Sequence, residues 1–185
     1  MALEIILIAL GVIVVLLVLW VIGTYNHLIT LRTRIDNAWS QIDVFLKRRY
    51  DLIPNLVETV KGYAKHEKET LENVMKARAG LMTGSVEDRM QANNMLSQTL
   101  KSLFAVTEAY PNLKANENFM ELQKELKDTE DSVASVRSQY NNTVEPYNRT
   151  IQMFPSNILA GMFGFVAKPW FETATEEREA PKVKF

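Results

Sequence analysis

From Ile5 to Ile22 the chain consists of Ile, Leu, Val, Ala, Gly and Trp without a single charge. At ~1.5 Å of rise per residue this run approaches the ~30 Å of bilayer hydrocarbon, and a water-soluble fold of this size has no use for an unbroken apolar cylinder. The pattern predicts a transmembrane anchor over residues 1–24. After Gly23 the chain acquires one apolar and one polar face. Leu28, Leu31, Ile35, Ala38, Ile42 and Phe45 follow one another in alternating steps of three and four, with Arg32, Arg34, Asp36, Asn37, Gln41 and Asp43 between them. That spacing is an amphipathic helix and not a strand. A second apolar set, Ile53, Leu56, Val60, Ala64, Leu71 and Val74, continues in nearly the same phase.

Whether the two sets form one rod or two helices turns on Tyr50 to Pro54. Lys47-Arg48-Arg49 suits a helix C-terminus, Asp51 suits an N-cap, and Pro54 would then sit in a first turn where its missing N–H matters little. Against a break stand the continuous phase and the lack of a glycine to close a tight turn there. Further on, Thr83-Gly84-Ser85 with Asp88 reads as a turn and a capping box, opening a helix through Met90, Leu96, Leu100, Leu103 and Thr107. Pro111 ends it. Asn116 is a suitable N-cap for the longest periodic segment, Phe119 to Phe154, which Pro146 should bend. With no two-residue alternation of useful length, the expected class is all-α: a single transmembrane helix followed by an antiparallel up-and-down four-helix bundle over residues 25–155. If the chain breaks near Asp51, its first three helices have about 25 residues, or ~38 Å, each, and the fourth returns the chain to the lipid.

Residues 156–185 form a third region. Phe154 to Phe165, then Pro169-Trp170-Phe171, is punctuated by Pro and Gly like a loop yet far too apolar for a solvated one. Either it caps the open end of the bundle core, or its side chains meet the membrane interface or a partner. On the second reading the candidate partner-binding residues are Ile158, Leu159, Met162, Phe163, Phe165, Trp170, Phe171 and the terminal Phe185. The last three residues, Val183-Lys184-Phe185, also have the apolar-x-apolar ending that a PDZ-type groove takes up by strand addition. That offers an alternative role as a ligand or regulator of a PDZ-bearing envelope protease.

A cleaved signal peptide is the competitor for the anchor, but Met1-Ala2-Leu3-Glu4 has an acid and no base, and Trp20 to Tyr25 makes a poor cleavage site. Arg32 and Arg34, backed by the 47–49 triplet, place the main domain in the cytoplasm by the positive-inside rule, with the anchor in the cell (inner) membrane. Charge is balanced, with 21 basic and 22 acidic residues, so nothing draws the chain to nucleic acid. Cysteine is absent, which removes thiolate chemistry. The two histidines, His27 and His66, lack the helical Glu or His partners of a metal site; Glu69 near His66 supplies half of one at most. No phosphate loop, serine elbow or metalloprotease motif occurs. The reading is non-enzymatic and cofactor-free: a scaffold or adaptor beside the lipid bilayer, with a protein partner or a second copy as its binding class. Asp36, Trp39, Asp43 and Lys47-Arg48-Arg49 are the polar features most suggestive of binding, against a plain role in helix termination and solubility.

The longer words of the chain are distinctive. Tyr25-Asn26-His27-Leu28, Asp36-Asn37-Ala38-Trp39-Ser40-Gln41-Ile42-Asp43, Leu46 to Val57 and Lys61-Gly62-Tyr63-Ala64 resemble the LemA family of bacterial membrane proteins. So do Phe154-Pro155-Ser156-Asn157 and Glu179-Ala180-Pro181-Lys182-Val183. The resemblance covers nearly the whole chain. It implies a single-pass N-terminal anchor and a four-helix up-and-down domain, which agrees with a break near Asp51. For activity it implies little: the family has no catalytic motif to carry over, and the proximity of some members to membrane-protease or envelope proteins suggests envelope maintenance.

Overall fold

The computed structural model describes residues 1–172. They form α1 (Ala2–Tyr63), α2 (Lys68–Gly80), α3 (Val86–Thr107), α4 (Pro111–Lys114), α5 (Glu117–Gln152) and α6 (Ser156–Met162), with no strand among the described residues. The chain divides into two compact units, Met1–Ala38 with Tyr140–Lys168, and Trp39–Gln139 with the described residues from Pro169 onward.

In the first unit, the apolar start of α1 is long and apolar enough to cross a membrane, and none of that window is buried. From Leu28 the helix has an inward face. Leu28, Leu31 and Ile35 are buried, as are Tyr140, Val144 and Tyr147 of α5, Leu159 and Ala160 of α6, and Phe165.

The second unit has a core drawn from every stripe that falls in it. Ile42, Leu46, Ile53, Leu56 and Val60 of α1 are buried, with Leu71, Val74 and Ala77 of α2, Leu96, Leu100 and Leu103 of α3, and Phe119, Leu126 and Val133 of α5. Burial of each of the larger of these side chains contributes roughly 1.5–3 kcal/mol. That matters most for α2, whose 13 residues are too few for a stable helix in isolation. Its last residue, Gly80, lets α3 come close: a Cβ there would stand 2.8 Å from the Cβ of Ala92. The chain then turns at Gly84, whose φ of +88° suits a residue without a Cβ. Ser85 and Asp88 close the expected capping box, the Asp88 N–H donating to Ser85 Oγ at 3.2 Å and the Ser85 N–H to Asp88 Oδ2 at 2.8 Å. Asn116 likewise caps α5, accepting from the Phe119 N–H at 3.0 Å.

No break occurs near Asp51. The helix α1 runs unbroken through Pro54 and ends at Tyr63, so the expected boundary is corrected to Ala64–Glu67. The signals that favoured a break are used otherwise. Lys47 and Asp51 pair with each other one turn apart. Pro54 cannot donate to the carbonyl of Tyr50, four residues back, but the Arg78 Nε–H of α2 donates to that carbonyl at 2.8 Å. The same guanidinium lies 3.6 Å over the Tyr50 ring. A long-range donor has replaced the helical one, and the helix continues. Past Tyr63 the turn closes with the Glu67 N–H on the Ala64 carbonyl at 3.2 Å, while Tyr110 Oη donates to Glu67 Oε1 at 3.1 Å. The second apolar set is thereby shared between α1 and α2. Pro146 is also accommodated within a continuous α5.

Two outcomes follow. Arg78→Met, which keeps the stem and loses the donor, should cost about 1–3 kcal/mol, and the cost should shrink in a Pro54→Ala background where residue 54 supplies its own N–H. Urea unfolding followed by helical circular dichroism measures the cycle; equal costs in both backgrounds would refute the donor replacement. The Ser85 backbone N–H, and then its hydroxyl, hold the Asp88 carboxyl below the ordinary aspartate range. The cap therefore contributes fully above that range and is lost as pH falls through the lower folded value. Asp88→Asn should flatten that acid-side fall in melting temperature relative to the parent chain.

Candidate functional site

In the first unit the end of α5 leads through a cis Phe154–Pro155 bond into α6. Ser156 Oγ donates to the carbonyls of Thr150 at 2.8 Å and Met153 at 2.9 Å. Gly164, with φ of +70°, then closes α6. The Phe165 N–H reaches the Ala160 carbonyl at 2.9 Å and the Gly164 N–H that of Gly161 at 3.4 Å, the paired bonds of a Schellman end. This turns Phe165 inward. Beyond it, Tyr147 Oη donates to the Val166 carbonyl at 3.0 Å. Asn148 clasps Lys168 at both backbone groups, donating to its carbonyl and accepting from its N–H, each at 2.8 Å. Burial raises the Tyr147 phenol above its ordinary value, with Arg32 opposing and Asp36 adding to the shift, so it stays a protonated donor.

The segment so pinned meets α1 where the apolar run ends. The Tyr25 ring packs edge-on against Phe163 at 4.9 Å and Phe165 at 5.8 Å, and the Arg32 guanidinium lies 5.9 Å from the Phe165 ring centre. Trp20, Gly23, Thr24 and His27 share a hollow of about 350 Å³ with Thr150, Pro155 and Ser156.

The candidate residues separate accordingly. Leu159 and Phe165 are buried, whereas Ile158, Met162 and Phe163 are exposed, together with Met153, Phe154 and Val166. In the second unit Trp170 is exposed but Phe171 is buried, 5.8 Å from the Arg137 guanidinium, and Asn94 Nδ2 donates to the Glu172 carbonyl at 3.1 Å. Phe185 lies outside the described residues.

The basic triplet proves to be three different residues. Lys47 pairs with Asp51, and Arg48 faces Glu125 at 3.7 Å on the surface. Arg49 is only 1% exposed. Its guanidinium meets Glu130 of α5 at 2.6 Å, Asn93 Oδ1 of α3 at 2.5 Å and Ser97 Oγ at 3.3 Å, while Ser97 Oγ also reaches Glu130 Oε2 at 2.8 Å. Burial lowers the Arg49 pKa, and the charge of Glu130 and its hydrogen bond counteract that. Arg49 Nε is buried without a partner, and the group lines a cavity of about 200 Å³ walled by Leu100, Phe104 and Leu126. A permanent cation, one carboxylate and one hydroxyl make a structural tie between helices. Among the described residues no group of three or more His, Asp or Glu is placed to hold a metal.

The signal that marks Arg49 is its phase. Ile42, Leu46, Arg49, Ile53 and Leu56 follow one another in steps of four and three, so the arginine sits on the apolar stripe, and Asn93 does the same between Met90 and Leu96. Asp43, by contrast, pairs with Arg89 of α3, whose guanidinium also lies 5.3 Å from the Trp39 ring. Trp39 and Asp43 are thus engaged within the unit, as the basic triplet is.

Comparison with known proteins gives concordant matches. The LemA family profile covers residues 38–185. The chain is 25% identical over 159 residues to Protein LemA of Metamycoplasma hominis, covering 85% of this chain and 73% of that one. It is 27% identical over 195 residues to Magnetosome protein MamQ 2 of Paramagnetospirillum magneticum, covering 89% and 72%.

Removing the acid that faces the buried Arg49 should be more damaging than removing the acid that faces the exposed Arg48. Glu130→Ala, which strands the Arg49 charge, should lower stability by about 3 kcal/mol, and Glu125→Ala by at most about 1 kcal/mol. Urea titration of both variants in detergent is the measurement; indistinguishable midpoints would mean Arg49 is not held by Glu130.

Proposed function

This chain belongs to the LemA family, and we propose that it is a non-enzymatic, membrane-anchored helical scaffold or adaptor for other membrane or envelope proteins. The observation that carries this reading is the continuity of α1. One helix, Ala2–Tyr63, contains both the membrane-length apolar segment and buried core positions from Leu28 to Val60. A cleavable leader has no need to share a helix with the core it precedes, and that continuity supports a retained anchor.

The architecture proposed for the folded part is an antiparallel up-and-down four-helix bundle. Side-chain ties from α1 to α3 and α5 through Arg49, and from α1 to α2 through Arg78, support it. The proposed orientation has the main domain in the cytoplasm, and the positive-inside bias of Arg32 and Arg34 just past the span supports it. The polar groups serve structure: Arg49, Arg78 and Arg89 each bind across helices. What remains for a protein partner is surface, and exposed apolar side chains such as Val44 and Met95 offer contact points.

Alkaline washing should leave the full chain in the vesicle pellet. Photo-crosslinkers placed at Val44 and Met95 should capture discrete protein adducts in native membranes. If those positions yield only lipid adducts or none, the scaffold reading fails. A reporter fused at the C-terminal end should be active as a cytoplasmic one, and activity of an external reporter would reverse the orientation.

A further inference from the structure

The exposed apolar residues after α5 form a surface without a protein cover, in the same compact unit as the span. Met153, Phe154, Ile158, Met162, Phe163 and Val166 all present their side chains outward, Phe154 and Met162 with 79% and 73% of their surface free. The stretch is not an ordinary solvated loop. From Thr150 to Ala167 there is no charge at all, and Arg149 and Lys168 bracket it. It is also firmly held, by the Schellman end at Gly164, the Ser156 hydroxyl and the Asn148 clasp on Lys168.

We infer that this segment is a second membrane attachment, an apron whose outward apolar side chains lie in the headgroup and upper acyl region beside the point where α1 leaves the bilayer. The inference rests on the anchored reading above and adds a lipid contact to it. Depth is what identifies the occupant. Trp20 and Tyr25 stand at the end of the apolar run, where aromatic side chains favour the membrane interface. Between them α1 rises only ~8 Å, about the thickness of one interfacial layer. Phe163 touches Tyr25 at 4.9 Å, and Pro155 and Ser156 line the hollow that Trp20 and Thr24 line. The apron is therefore at the level of the headgroups by direct contact. A surface at that level with apolar and aromatic side chains, no acid and flanking bases has the composition that an interfacial segment needs.

The chain has no cysteine, so single labels can be introduced without removing anything. The full chain bearing a spin label at Ile158→Cys or Met162→Cys is reconstituted in phosphatidylcholine/phosphatidylglycerol vesicles. Collisions with oxygen, which concentrates in lipid, are compared with those of a water-soluble nickel chelate. Val14→Cys in the span and Glu72→Cys on α2 give the lipid and water references. The expected oxygen-to-nickel ratio at positions 158 and 162 is severalfold above that at 72 and below that at 14. A ratio equal to that at 72 overturns the apron while leaving the anchor intact. Exclusion of both reagents, with spin–spin broadening that vanishes on dilution with unlabelled chain, overturns it in favour of a second copy. A water-like reading at position 14 removes the anchored reading itself.

Discussion

Arg49 imposes the strictest constraint on the helical core. A guanidinium cannot shed its proton in a protein, so once its side chain is buried, a carboxylate and hydrogen-bond acceptors must be delivered to it. Glu130, Asn93 and Ser97 come from two other helices to do so. Sliding any one of these helices by a turn would strand the charge, so the ion group fixes the register of α1, α3 and α5 in the second unit. Apolar stripes alone would tolerate such a shift far better, because leucine and isoleucine faces repeat. The stripes supply cohesion, and the ion group supplies uniqueness.

The two internal prolines show how far local rules carry in this chain. At Pro54 the lost N–H is made good by Arg78, so the helix needs no break. The sequence around residues 47–54 carries all the local signs of a helix end, and each is real chemistry with another destination: Lys47 and Asp51 neutralise each other along one face. What decides the matter is a donor 28 positions away, which no local window contains.

Much of the fold was nonetheless legible. The three-and-four stripes identified most of the core residues of α1, α3 and α5, because burial is proportional to apolar area and the helix presents it on one side, but they took Phe45 where Leu46 is buried and ran on to Phe154, which is exposed. Ser85 with Asp88, and Asn116, were readable because caps are satisfied within a turn. The end of α1 at Tyr63 carries no comparable signal, since Gly62 lies within the helix without a positive φ. Arg49 was missed because three successive basic residues look alike in sequence, although each is rotated about 100° from the next on a helix and so meets a different environment. In the apron, composition set the segment apart as unlike a loop, but which side chains turn inward depended on the positive φ of Gly164. Leu159 and Phe165 are packed while Ile158 and Met162 face out, a division that the apolar composition alone does not contain.

The first unit is assembled from two stretches at opposite ends of the chain, Met1–Ala38 and Tyr140–Lys168. A ribosome delivers these pieces in order, and domains built from late-arriving partners complete slowly. The leading piece enters the bilayer while most of the polypeptide is still unmade. Until the trailing piece emerges, Leu28, Leu31 and Ile35 lack the cover that Tyr140, Val144 and Tyr147 share with them in the finished unit. A nascent chain that has not yet reached Tyr140 thus carries an uncovered greasy stripe directly after its apolar run.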